Sequence, residues 1–241
     1  MASEDDSGLP ASIAAAWGRR ARPTKGPRPA LSLERIVDAA AAVAAAEGLD
    51  AVSMGRVAAE LGFSPMSLYR YVAAKDELLA LMVDAAVGAP PETHAEGWRA
   101  GLSRWAWAYH DALRRHPWVL RVPISAPAIT PNATAWLEHG LRCLADTALP
   151  EPQKLSVMLL LSGYVRNEAT LAADIGAEAG GEIMPAWGRL LTELTTPADF
   201  PALHAALGSE AFAQDDDPDD EFVFGLERVL DGIAALVAAK Y

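Results

Sequence analysis

Val52-Ser53-Met54-Gly55-Arg56-Val57-Ala58-Ala59-Glu60-Leu61-Gly62-Phe63-Ser64-Pro65-Met66-Ser67-Leu68-Tyr69-Arg70-Tyr71-Val72 is the stretch that decides how this chain folds. Ser53 is placed to cap a short helix whose inner face holds Val57, Ala58 and Leu61, and Gly62 stops it. Two residues later Ser64-Pro65 opens a second helix, with serine at the cap and proline at the first helical position, where a missing N–H costs nothing. Leu68 and Val72, four apart, turn inward together. A helix pair across a tight glycine-containing turn lets its second member enter a major groove while the first braces it. Such pairs also occur in many all-α proteins, and the spacing alone leaves both readings open.

Working outward, Ser32 caps an earlier helix with Leu33, Ile36, Val37, Ala40, Val43 and Ala44 at helical spacing, ended by Glu47-Gly48. Downstream, residues 75–87 form a helix with Asp76 and Glu77 in its first turn, where the macrodipole favours acid. Gly88-Ala89-Pro90-Pro91 then breaks the chain. The organisation read from this is a flexible basic arm over 1–30, a small helical domain over 31–88 and a larger body over 89–241. In the body, helices are expected over 96–116, 132–148, 151–175, 185–194, 200–207 and 221–239. Alanine is abundant and no segment alternates polar and apolar for long, so the fold class is all-α.

A hydrophobic share of 51% excludes a wholly disordered chain. The single cysteine, Cys143, excludes an internal disulfide framework and fits a reducing compartment. The acidic start and the short apolar runs predict a soluble cytoplasmic protein with no membrane partner. The net charge of −12 is unevenly spread. Residues 17–86 hold nine Lys/Arg against eight Asp/Glu, whereas 87–241 hold eleven against twenty-one. Arg19, Arg20, Arg22, Lys25, Arg28 and Arg35 cluster against Glu34 alone. A basic edge on an acidic body suits phosphate contact, and plain solubility explains the acidic body equally well.

With Leu68 and Val72 inward, Met66, Ser67, Arg70 and Tyr71 are expected on or beside the exposed face, behind Pro65 at the helix start. Arg70 suits a guanine edge, and Met66 or Tyr71 a thymine methyl. Arg56, Tyr69 and Lys75 suit phosphates, which fix register rather than sequence. The basic arm either reaches a flanking minor groove or serves as a solubilising tail.

Residues 31–88 resemble the TetR/AcrR family of bacterial regulators. The resemblance is carried by Glu47-Gly48-Leu49, Val57-Ala58-Ala59-Glu60-Leu61-Gly62, Leu68-Tyr69-Arg70-Tyr71 and Lys75-Asp76-Glu77-Leu78-Leu79. Ala74 departs from the small polar residue often found before that lysine, so the fourth helix is expected to lack its usual cap. His116-Pro117-Trp118 and the tail from Glu221 to Ile233 are similar to a tetracycline-repressor-like C-terminal domain.

The resemblance implies an N-terminal three-helix helix-turn-helix DNA-binding domain and a C-terminal helical ligand-binding and dimerisation domain. It implies a sequence-specific regulator, a repressor released from a palindromic double-stranded DNA operator by a small-molecule effector. The alternative is a helical adaptor controlled by a protein partner. The homodimer face is expected at Leu155, Leu159, Phe222, Leu226, Val229 and Ile233. The effector pocket is expected at Trp105, Tyr109, Trp118, Trp136, His139, Met158, Tyr164 and Asn167, with coupling through the helix at 75–87. No cofactor or metal is expected. An enzyme reading lacks a glycine fingerprint, a serine elbow, a His-Glu-x-x-His pair or a phosphate loop.

Overall fold

The computed structural model describes residues 9–19, 30–92, 97–124, 127–176, 183–209 and 219–239. Among these every regular element is helical, as expected. A short α1 (Ala11–Ala16) precedes α2 (Leu33–Glu47), α3 (Met54–Leu61), α4 (Pro65–Tyr69) and α5 (Lys75–Val87). The body holds α6 (Trp98–Arg115), α7 (Pro131–Cys143), α8 (Glu151–Gly176), α9 (Ile183–Leu194), α10 (Pro201–Leu207) and α11 (Asp220–Ala238). Short 3-10 turns cover Leu49–Ala51 and Pro117–Arg121.

Capping sets the head's boundaries. The Ser32 hydroxyl accepts the Arg35 N–H at 3.2 Å, and the Ser53 hydroxyl accepts that of Arg56 at 3.1 Å. Gly62 takes the left-handed conformation, φ 73°, which turns the chain from α3 into α4. Ala74 opens α5 without a side-chain cap, as its residue type dictates. α2 packs on α3 and α5, and α3 on α4, around Ile36, Ala40, Val57, Leu68, Val72 and Leu78.

In the body, α6 packs on α7 and α8, and α11 closes over α6 and α8. Leu102, Leu113, Leu144, Leu161, Leu226 and Leu230 are fully buried there. Head and body meet where α5 lies against α6 and α7. The buried Asp84 carboxylate of α5 accepts the Ala133 N–H at 2.9 Å, so it caps α7, whose own Thr130 makes no side-chain cap bond. The Asn132 amide donates to the Asp84 carbonyl at 3.0 Å, and the Trp136 indole donates to the Gly88 carbonyl at 2.9 Å.

Two expectations, a free arm over 1–30 and a helix over 132–148, are corrected. The segment 9–19 is not a free arm: α1 packs on α5 with Ser12, Ile13 and Ala14 buried. Arg20, Arg22, Lys25 and Arg28 lie outside the described residues. α7 ends at Cys143, because Leu144 turns into the core and the chain tightens through Ala145 N–H to Arg142 and Thr147 N–H to Leu144. α4 ends at Tyr69, where the chain tightens as the Tyr71 N–H bonds the Leu68 carbonyl three residues back. No helix among the described residues is long and apolar enough to cross a membrane.

Candidate nucleic-acid interface and body cavity

α4 presents its outer side because its inner side is pinned. Leu68 and Val72 are fully buried, while Met66 is 74% and Tyr69 48% exposed. Pro65 and Arg70 are also exposed, and Ser67 is half-buried with its hydroxyl 3.0 Å from that of Ser64. Lys75 stands exposed at the first residue of α5. The result is a small convex surface of thioether, phenol, guanidinium and ammonium groups.

Two head residues sit differently from expectation. Tyr71 is half-buried and donates its hydroxyl to the Leu31 carbonyl at 2.9 Å, so it does not point outward. Residue 71 lies three positions after the buried Leu68, on the flank of the inner side, and its bond to the Leu31 carbonyl holds it there. Arg56 bridges Glu47 at 2.5 Å and Glu60 at 2.8 Å. Hydrogen bonding to Arg56 holds the Glu47 carboxyl below its ordinary pKa, and the guanidinium is raised in turn. This arrangement ties α2 to α3, and Arg56 reaches a phosphate only in competition with two carboxylates.

In the body, the residues expected around an effector separate into different places. Trp105, Tyr109 and Trp136 pack on one another, with ring centroids 5.1 to 5.6 Å apart. The Trp105 indole donates to the Trp136 carbonyl at 2.9 Å. Met158 joins them over Gly140, where an added Cβ would run into the methionine methyl. Burial pushes the Tyr109 hydroxyl pKa up. Trp105, Trp136 and Met158 are buried core, and half-buried Tyr109 packs against them.

Tyr164 sits against α11, donating to the Phe222 carbonyl at 2.8 Å in the space left by Gly225. Its pKa is pushed up to about 12, first by burial and then by Glu168. Trp118 is buried with no hydrogen-bond partner for its indole N–H among the described residues, and Asn167 is exposed on α8.

His139 alone of these residues lines the half-open cleft of about 740 Å³ beside the head-to-body linker. Pro91, Trp98, Glu138, Arg142 and Asp146 line it too. Sequence reading passed over this cleft, because its walls come from a linker and two helix faces with no shared period. Among the described residues, no group of three His, Cys, Asp or Glu is arranged to hold a metal ion.

The expected dimer residues also divide. Leu155 is 50% and Leu159 76% exposed on α8, and Val229 is half-buried. Phe222, Leu226 and Ile233 are corrected to core, each 2% exposed. They form the stripe by which α11 packs on α6 and α8 of its own chain, and Phe222 stacks on His110 at 4.1 Å. Further outward apolar residues are Leu160, Leu171 and Ile175 on α8 and Val223 and Phe224 on α11.

With this geometry in view, comparison with known proteins gives a consistent result. Residues 36–82 match the bacterial regulatory proteins of the tetR family, and residues 90–237 match the tetracyclin repressor-like C-terminal domain. The chain belongs to the TetR family. The HTH-type transcriptional repressor DrrR1 of Streptomyces coeruleorubidus is 39% identical over 234 residues, covering 93% of this chain and 85% of that protein. Apo ActR from Streptomyces coelicolor superposes with a TM-score of 0.74 at 28% identity, covering 89% of this chain and all of the ActR chain. ActR in complex with actinorhodin gives 0.76 at 27%, with the same coverage.

This TetR-family protein is therefore a DNA-binding transcriptional regulator with a helix-turn-helix head and a helical body. Two of its working parts carried only a weak sequence signal. Asp84 is an acid on an otherwise apolar stretch of α5, which marks a polar job inside the fold. Trp17 is a large aromatic inside a segment otherwise rich in small residues, and it anchors α1.

Proposed function

We propose that this TetR-family regulator is a repressor that binds a two-fold operator as a homodimer and leaves it when a small molecule binds the body. The observation that carries the DNA reading is the α4 surface: Met66, Tyr69 and Arg70 stand exposed on a short helix whose opposite side is anchored by Leu68 and Val72. Arg70 pairs with a guanine edge and Met66 packs on a thymine methyl. Tyr69 and Lys75 contact phosphates, and Pro65 and Ser67 lie against the backbone at the helix start. Arg56 adds a phosphate contact where it exchanges a carboxylate for one, and Tyr71 braces the recognition turn from within.

One such helix covers few base pairs, so two copies read half-sites about 34–36 Å apart or a multiple of that. Leu155, Leu159 and Leu160 with Val223, Phe224 and Val229 supply the apolar face for the second copy. The effector reading is supported by ActR, solved in complex with actinorhodin and with (S)-DNPA, and by the cleft beside the linker of this chain. A ligand there shifts the balance between head spacings only by its differential affinity for them. The site of action is the bacterial cytoplasm, where the operator lies.

Selection of bound duplexes from random DNA, followed by a salt series on the winner, tests this reading. A palindromic sequence whose log affinity falls linearly with log salt is expected. Recovery of no preferred duplex at low ionic strength would contradict it.

A further inference from the structure

We propose that α1 is a positioning strap, in which Ser12 and Trp17 fix the angle of α5 and thereby the spacing at which two heads meet their half-sites. The inference rests on the paired half-site reading above. α5 carries the head; it packs on α6 and α7, and its hydrogen bonds to α7 come from Asp84 and Gly88 at its far end. A rod of its 13 residues is about 20 Å long, so a turn of about 5° at the bound end moves the other by about 2 Å. That is enough to spoil the fit of a recognition helix in its groove.

α1 supplies the second hold. The Ser12 hydroxyl, itself buried, donates to the Glu77 carboxylate at 2.5 Å in the first turn of α5. Ile13 and Ala14 are buried where α1 packs on α5. At the other end of α1, the Trp17 indole donates to the Ile129 carbonyl at 2.7 Å, one residue before Thr130 opens α7. A helix of six residues does not persist by itself, so these contacts are what keep α1 in place. The strap joins the DNA end of α5 to the body, closing a triangle with α7. It also precedes residues 36–82, the part matched to the family's DNA-binding domain.

The test uses the full chain and the conservative variants Ser12→Ala and Trp17→Phe, which remove one donor each. Affinity is measured on the selected operator and on copies with the centre lengthened or shortened by one and two base pairs. The wild type is expected to prefer one spacing, and each variant to lose about fivefold of that preference while single-base preferences within a half-site stay unchanged. Weakening by one common factor at every spacing, in step with a lower melting temperature, would reduce α1 to a structural brace and overturn the proposal. Variants that keep the wild-type spacing ratio overturn it as well. A wild type indifferent to spacing overturns the paired half-site reading first, and the strap with it.

Discussion

The head and the body both place large side chains on their surfaces, but only in the head does the exposed set follow from what is buried beneath it. On α4, Leu68 and Val72 anchor one side, and Met66, Tyr69 and Arg70 are left outside by helical geometry. In the body, Trp105, Tyr109 and Trp136 look like the wall of a binding site by residue type, yet they pack on one another as core. Aromatic identity does not separate wall from filling. What separates them is whether a partner is already in contact, and here the partners are Met158 and the Gly140 backbone.

That contrast breaks most readily at Trp105. As a 3% exposed side chain with a bonded indole, Trp105→Ala should cost about 3–5 kcal/mol of stability in denaturant unfolding. A cost below about 1 kcal/mol would return Trp105 to the wall of a preformed cavity. Gly140→Ala should cost about 1–3 kcal/mol by overpacking against Met158, and a second change, Met158→Ala, should recover part of the loss from the clash. Additive losses would show that α7 shifts to make room.

Arg70→Ala sharpens the comparison from the head's side. Melting should be unchanged, while specific operator binding weakens by about 1–3 kcal/mol and one base position relaxes. Lys75→Ala should instead weaken all sequences and flatten the salt slope.

The smallest expected effect is a pH dependence at His110. Burial against Phe222 and Trp107 disfavours its imidazolium, and Arg114 adds to this, while Asp219 and Asp111 oppose it. Its folded pKa therefore lies below the ordinary 6.5, so the unfolded chain takes the proton first as pH falls. Stability should decline from about pH 6.5 downward until the folded pKa is passed, and His110→Gln should flatten that slope. His139 shifts the same way through burial and Arg142, so some slope should remain. An unchanged slope in the variant would remove His110 from the account.

The head was legible because its boundaries are written in residues with one conformational job. Ser32 and Ser53 cap, Gly62 turns left-handed and Pro65 opens α4. What escaped was the inward hold on Tyr71: its hydroxyl bond to the Leu31 carbonyl joins residues 40 apart, which helix spacing does not announce. α1 escaped because six residues with one large apolar member, Ile13, show no period. In the body, helix positions were readable from spacing, but the stripe Phe222, Leu226 and Ile233 has the same pattern whether it covers its own core or a second chain. The packing of α11 on α6 and α8 decides for the core.

Position-specific cross-linking puts the contrast between the two regions to its most direct test. Met66 on α4 and Leu194 on α9 are almost equally exposed, at 74% and 79%. With a photoreactive side chain substituted at either position in turn, the selected duplex should attach at position 66 and fail to attach at 194, and unlabelled operator should compete the product away. Equal yields from both positions, or none at 66, would contradict the assignment of α4 as the surface that meets DNA.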